Sequence, residues 1–428
     1  MYLSVIRTVA YLFVVIVSVT TFAGAGRETP PGIGPLSSFR EAHGVIALRI
    51  AATHFSKQSK PTIDGTQLFY SDRHGNLIAF DIRRHRNIWI AKADRCVNNT
   101  PILAVGKHVL CMTDGNRLAA RDEITGRLLW RSISFGLNGI TQIKLASDLY
   151  LAGGTVARLD WRTGALKWRD DGFTFSHVVS MHHNRLLLSI AEGSPVVTDV
   201  TVMDATTGRR LLSVADSLKV RGDVRVLSGG ETALMAVTEP TGDIGESRIA
   251  VRTLMIDLRT DTLSNVQNVV FSPALSPDQN VPNYIVASTT ALAFNLGKNA
   301  YFYSLDRHVL LGQLRGIPVW AAGNVIALLD SDGLDAVGRN GLRMRLRRIL
   351  DFSYNASLGD NMLATSKNVV VASTSQNQLI VADLTKSKVY TFTAPGCPII
   401  EGLAISRAYA AIVCATNSGL ASIVVATL

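Results

Sequence analysis

The chain alternates short apolar runs with polar turns, and three stretches of that alternation line up with one another. Residues 68–91 read LFYSDRHGNLIAFDIRRHRNIWIA, residues 109–132 read VLCMTDGNRLAARDEITGRLLWRS, and residues 149–169 read LYLAGGTVARLDWRTGALKWR. Each stretch predicts an apolar strand, a tight turn, an alternating strand ending in aspartate, a polar turn, and a strand carrying tryptophan. The aspartates are Asp81, Asp122 and Asp160; the tryptophans are Trp89, Trp130 and Trp168, 41 and 38 residues apart. A unit of about 40 residues built only from strands predicts propeller blades, and so one large toroidal domain rather than several small ones.

Each slot has a local reason. Glycine in the HGN, DGN and GGT turns permits the positive φ of a two-residue hairpin. An aspartate before Ile-Thr-Gly or Arg-Thr-Gly, with Gly126 and Gly164 closing the turn, caps it through a side-chain oxygen. The tryptophan spreads a large ring between neighbouring blades.

Weaker copies follow. Asp204 precedes Ala-Thr-Thr-Gly ending at Gly208, with Leu212 in the tryptophan slot; Asp257, Asp306 and Asp383 end further strands. A degenerate copy covers 334–340, and the chain ends in LASIVVATL. The prediction is an all-β propeller of four-stranded antiparallel blades, eight in number within a range of seven to nine. The strand at 44–51 has no local partner and is expected to pair with 420–428, closing the ring and removing two open sheet edges. The expected division is a signal peptide at 1–25, a linker at 26–43 and the propeller at 44–428.

Composition narrows the compartment. With 47% hydrophobic and 18% charged residues, the 428-residue chain has the material for a packed core. Arg7, the uncharged apolar run 9–22 and Ala23-Gly24-Ala25 read as a secretory signal, either cleaved or kept as an anchor. No cysteine follows the run, so no lipobox is present. The four cysteines, Cys96, Cys111, Cys397 and Cys414, make two hairpin disulfides or buried free thiols, and their spacing argues against zinc. Asn98 and Asn355 begin glycosylation sequons, the first weakened by Pro101.

The segments GNLIAFD…W, GNRLAARDEITGRLLW and GTVARLDWRTGALKW resemble the repeats of the quinoprotein (PQQ)-like β-propeller superfamily. Nearest is the luminal propeller of ER membrane protein complex subunit 1; next is the bacterial outer-membrane assembly propeller. The sequons, the missing lipobox and the irregular blades at 177–214 and around EPTGDIGESR (239–248) favour the first. That resemblance implies a non-enzymatic scaffold in the ER lumen that assists membrane-protein insertion through protein–protein contacts. The alternative implies a periplasmic propeller assisting outer-membrane protein assembly. The longer ER subunits continue into further β structure and a transmembrane helix that these residues do not carry.

The superfamily also holds quinone-dependent alcohol dehydrogenases, with a vicinal disulfide, a calcium site and an aspartate base. Here there is no Cys-Cys pair and no acidic loop cluster, and the ladder aspartates have a structural task, so neither cofactor nor catalysis is expected. His182-His183 points to opposite faces of a strand, and Gly153-Gly154 is a hairpin turn without a following helix.

The +10 net charge includes Arg83, Arg84 and Arg86 in a turn. Arg343, Arg345 and Arg347 alternate on one strand and should share a face, with Arg348 opposite. They either protect an edge or form a patch for acidic protein partners or anionic headgroups. Nucleic acid is excluded as a partner by the export signal and the lack of stacking aromatics in the basic runs.

Overall fold

The computed structural model describes residues 40–50 apart from 44, 60–96, 101–135, most of 140–213, and from 223 onward chiefly the strands. The expected signal peptide, Asn98, Asn355, Asp306, His183 and Cys397 lie outside the described residues. Among those described, every regular element is a strand.

The strands form nine sheets, numbered here in chain order: residues 62–91, 103–131, 140–170, 175–213, 223–271, 285–315, 317–348, 365–393 and 399–427. Consecutive strands pair antiparallel within each. Among the described residues the sheets thus number nine, one more than the favoured eight and at the upper end of the expected range of seven to nine. The seventh, with its third strand at Gly333–Gly338, is the copy that the sequence leaves faint, because no aspartate turn ends that strand.

Burial follows position within the sheet. Second strands such as Leu149–Gly153 are buried along their whole length, because both faces are covered by neighbouring sheets. Fourth strands are the outer ones: Leu128–Arg131 alternates between half-buried and exposed, and Arg86–Ala91 is exposed over most of its length. In the first sheet, Leu68, Tyr70, Ile78 and Phe80 pack with Tyr409, Val413 and Val425 of the ninth sheet. On its other face Phe69, Leu77 and Ala79 pack with Val109 and Cys111 of the second. The core is thus a succession of apolar seams between blades.

The ring closes through the termini. Val45–Ile50 pairs antiparallel with Ala421–Thr427, as the outer strand of the ninth sheet. The residues just before it depart from the expected linker. Arg40–His43 pairs in parallel with Lys388–Thr393 and adds a fifth strand to the eighth sheet.

Of the stretch read as an insertion, EPTGDIGESR, residues 239–241 and 248 belong to strands, and 242–247 lie outside the described residues. Thr232–Thr241 and Arg248–Asp257 pair over ten residues each, so the fifth sheet is lengthened by continuing its hairpin.

The outer strands of the first seven sheets share one irregularity. A register shift places one unpaired residue before Trp89, Trp130, Trp168 and Leu212 in the first four sheets. Such a bulge increases local twist and re-aims the following side chain. In the seventh sheet the same irregularity corrects the arginine reading. Arg343, Arg345 and Arg348 lie across from Val337, Asp335 and Gly333, whereas Arg347 lies across from Leu334. Strict alternation fails at the bulge, so the residues in step with one another are 343, 345 and 348.

Candidate functional site

The first four sheets carry the aspartate turn and the first three the tryptophan, and their geometry assigns work to each slot. Asp122 Oδ1 accepts from the N–H of Ile124 and Thr125 and from the Thr125 hydroxyl, at 2.7–3.2 Å. Asp160 accepts from Arg162 and Thr163, Asp204 from Thr206 and Thr207, and Asp81 from Arg83 and Arg84. Asp257 in the fifth sheet accepts from Arg259 in the same way. Hydrogen bonds from Thr125 hold the Asp122 carboxyl below the usual aspartate range. Burial would raise Asp204, but its bonds from Thr207 and Thr206 outweigh that and leave it lowered.

The tryptophans act across the seams. Trp89 lies over Gly126 of the next sheet, Trp130 over Gly164 and Trp168 over Gly208. A Cβ on Gly126 would meet the Trp89 ring at 2.6 Å, and one on Gly208 would meet Trp168 at 2.8 Å. These glycines also hold φ of +70° to +75°, so the residue type is required twice over. Trp89 Nε1 donates to the Glu123 carbonyl at 2.8 Å and Trp168 Nε1 to the Ala205 carbonyl at 3.0 Å. Trp130 Nε1 is buried with no hydrogen-bond partner among the described residues.

Ion pairs, some with one partner buried, reinforce the seams, and nothing in the local pattern marks them. Asp148, almost fully enclosed, accepts from Arg158 Nε and Lys167 Nζ at 2.7 Å, while Arg158 Nη1 reaches the Ala205 and Thr206 carbonyls of the next sheet. Burial alone would raise its carboxyl, but the Lys167 and Arg158 bonds hold it below the ordinary range. Arg185 forks onto Asp261 at 2.7 and 2.8 Å, joining the fourth and fifth sheets. Arg121 and Arg131 share Asp94. Alternation identifies a buried face but not the long polar side chain threaded along it.

Cys96 and Cys111 form a disulfide with Cα atoms 5.7 Å apart. Cys96 does not lie on the first strand of a blade, as expected. It sits in the connection after the first sheet, bridged to Thr113, because the chain touches the second strand before making the first. Cys414, on the middle strand of the closing sheet, is also disulfide-bonded. Among the described residues no group of three or more His, Cys, Asp or Glu side chains fits a metal ion.

Outer strands expose aliphatic side chains beside these seams. Ile88 and Ile90 are 39% and 45% exposed, and Leu129, Ile133 and Leu166 are similar. The turn before Ile88 presents Arg83, Arg84, His85 and Arg86 to solvent.

Comparison with known proteins gives a family match over residues 36–171, to PQQ_2, described as outer membrane protein assembly factor BamB. No curated protein matches the chain. Among solved structures, the computationally designed Ika8 protein is 12% identical with a TM-score of 0.53, over 90% of this chain and 100% of that one. BamB from Moraxella catarrhalis is 15% identical with a TM-score of 0.41, over 67% and 81%. Quinohemoprotein alcohol dehydrogenase from Comamonas testosteroni is 12% identical with a TM-score of 0.48, over 90% and 76%. The likeness to Ika8 bears on the fold alone. The family match covers residues 36–171, about a third of the chain, and takes in the sheets that carry the three clearest copies of the repeat.

Proposed function

We propose that the chain is a non-enzymatic propeller scaffold on the exported side of a membrane, binding other proteins through its rim. The observation that carries this reading is the match of residues 36–171 to the BamB-described family. The repeat's polar side chains add support: its aspartates bind turn N–H groups and its tryptophans cover turn glycines. Side chains spent in this way are poor candidates for general acids or bases.

We place it in the ER lumen, assisting membrane-protein insertion, on the strength of the two sequons and the signal-like start. A periplasmic role in outer-membrane protein assembly is the second reading, favoured by the family description. Two measurements separate them. Glycosidase treatment of the protein from its own host speeds its gel migration if the ER reading holds, and leaves it unchanged if the periplasmic one does. Cross-linking with mass spectrometry then locates partners; a chain that cross-links to no protein contradicts both. A quinone absorbance band in purified protein would overturn the non-enzymatic reading and revive the dehydrogenase alternative.

A further inference from the structure

The first sheet ends in an open edge. Its outer strand Arg86–Ala91 pairs only with Leu77–Asp81, and among the described residues its outward backbone groups have no hydrogen-bond partner. Unpaired edge groups are a template for an added strand unless the edge is blunted. This fold uses that template elsewhere: Arg40–His43 lies in parallel along the outer strand of the eighth sheet. A blade edge in this molecule therefore accepts a fifth strand.

The first sheet's edge has a chemical character of its own. Ile88 and Ile90 stand on it with 39% and 45% of their surface in water. Exposed cations flank them, Arg83, Arg84 and Arg86 at one end and Lys92 at the other. Among the described residues no carboxylate pairs with Arg83, Arg86 or Lys92, and Arg84 reaches only Asp81, at 3.8 Å. The acids nearby are otherwise engaged. Asp81 caps its turn, and Asp94 holds Arg121 and Arg131. The neighbouring edges differ: Leu128–Arg131 is four residues long with Arg131 paired, and Leu166–Asp170 carries its own acid.

Resting on the scaffold reading above, we propose that Arg86–Ala91 is a strand-addition site for an extended segment of a protein partner, aliphatic in its middle and acidic at both ends. The ladder provides backbone hydrogen bonds, Ile90 and the bulged Ile88 offer aliphatic surface, and the flanking cations select acids and set the register. From Arg86 to Lys92 a strand rises about 20 Å, so the acids stand roughly six residues apart.

The test uses the full chain and a fluorescein-labelled octapeptide of alternating valine and threonine with acidic residues at both ends, read by anisotropy. Binding is expected, with new amide-exchange protection confined to 86–91. Charge reversal at Arg83→Glu with Lys92→Glu is expected to weaken it about tenfold, from two screened charge pairs. N-methylating alternate peptide amides should abolish it, and Ile90→Asp should weaken it without moving the melting temperature. The proposal is overturned by no binding, by protection elsewhere, or by binding indifferent to both N-methylation and charge reversal. It is overturned equally if phosphatidylserine vesicles, and not the peptide, bind in a manner that R83E/K92E abolishes. Failure here, with partner cross-links on other sheets, leaves the scaffold function standing; absence of any cross-linked partner removes both.

Discussion

Gly164 illustrates how much one position carries. It sits in the left-handed region at φ +71°, with the Trp130 ring where a Cβ would project. Gly164→Ala should therefore destabilise the protein by about 2–4 kcal/mol, combining left-handed strain with overpacking, as read from urea unfolding. An alanine as stable as glycine there would mean that the ring does not lie over the turn. The tryptophans themselves should separate under Trp→Phe. Trp89 and Trp168 each lose a hydrogen bond to a carbonyl across the seam, whereas the Trp130 Nε1 has none to lose among the described residues. Trp130→Phe should be less costly than Trp89→Phe by about 1 kcal/mol.

Asp148 gives a pH signature. Its carboxyl is held below the ordinary aspartate value by Lys167 and Arg158, so its contribution is complete above pH 3.8, the ordinary value. That contribution is lost as pH falls from there through the depressed folded value. Asp148→Asn should cost about 2 kcal/mol at neutral pH by leaving the half-buried Arg158 without its carboxylate, and should flatten the acid limb of the stability curve. Equal steepness in both proteins would assign the acid transition to other carboxylates.

Among the elements, the first three sheets were readable because aspartate, glycine and tryptophan mark the ends of their strands. The marks fade where a side chain of another type fills the slot. Gly312 follows the bulge in the sixth sheet and Arg347 in the seventh, and neither announces an outer strand. Glu239 and Pro240 looked like an insertion because charge and proline suit loops, yet both lie within a ten-residue strand. Bulges are invisible to alternation, since an extra residue shifts the phase without changing composition, and this is why the arginine face was misassigned. The placement of Cys96 failed because the chain makes an isolated bridge before entering its sheet. The disulfide ties that connection to the second strand of the next sheet, closing a loop of 15 residues. Replacing both cysteines with alanine should cost about 3 kcal/mol by the loop-entropy estimate. An unchanged denaturation midpoint would show the connection to be held by packing alone.

At the scale of the whole molecule, the seams are unequal. Tryptophan over glycine joins the first four sheets, and the bidentate Arg185–Asp261 pair takes over at the next seam. Apolar seams join the sixth sheet to the seventh and the eighth to the ninth, and at the termini Val45–Ile50 and Ala421–Thr427 complete one sheet packed against the first. A blade cannot bury its faces alone, so losing one sheet exposes those on either side.

Hydrogen exchange measured by mass spectrometry on the full chain and on a chain lacking residues 421–428 tests this closure directly. The closed ring predicts that the deletion strips protection from Val45–Ile50 and, through the shared seam, from Gln67–Ser71 in the first sheet. Protection at Gln67–Ser71 that survives the deletion unchanged would contradict a propeller closed by its two ends.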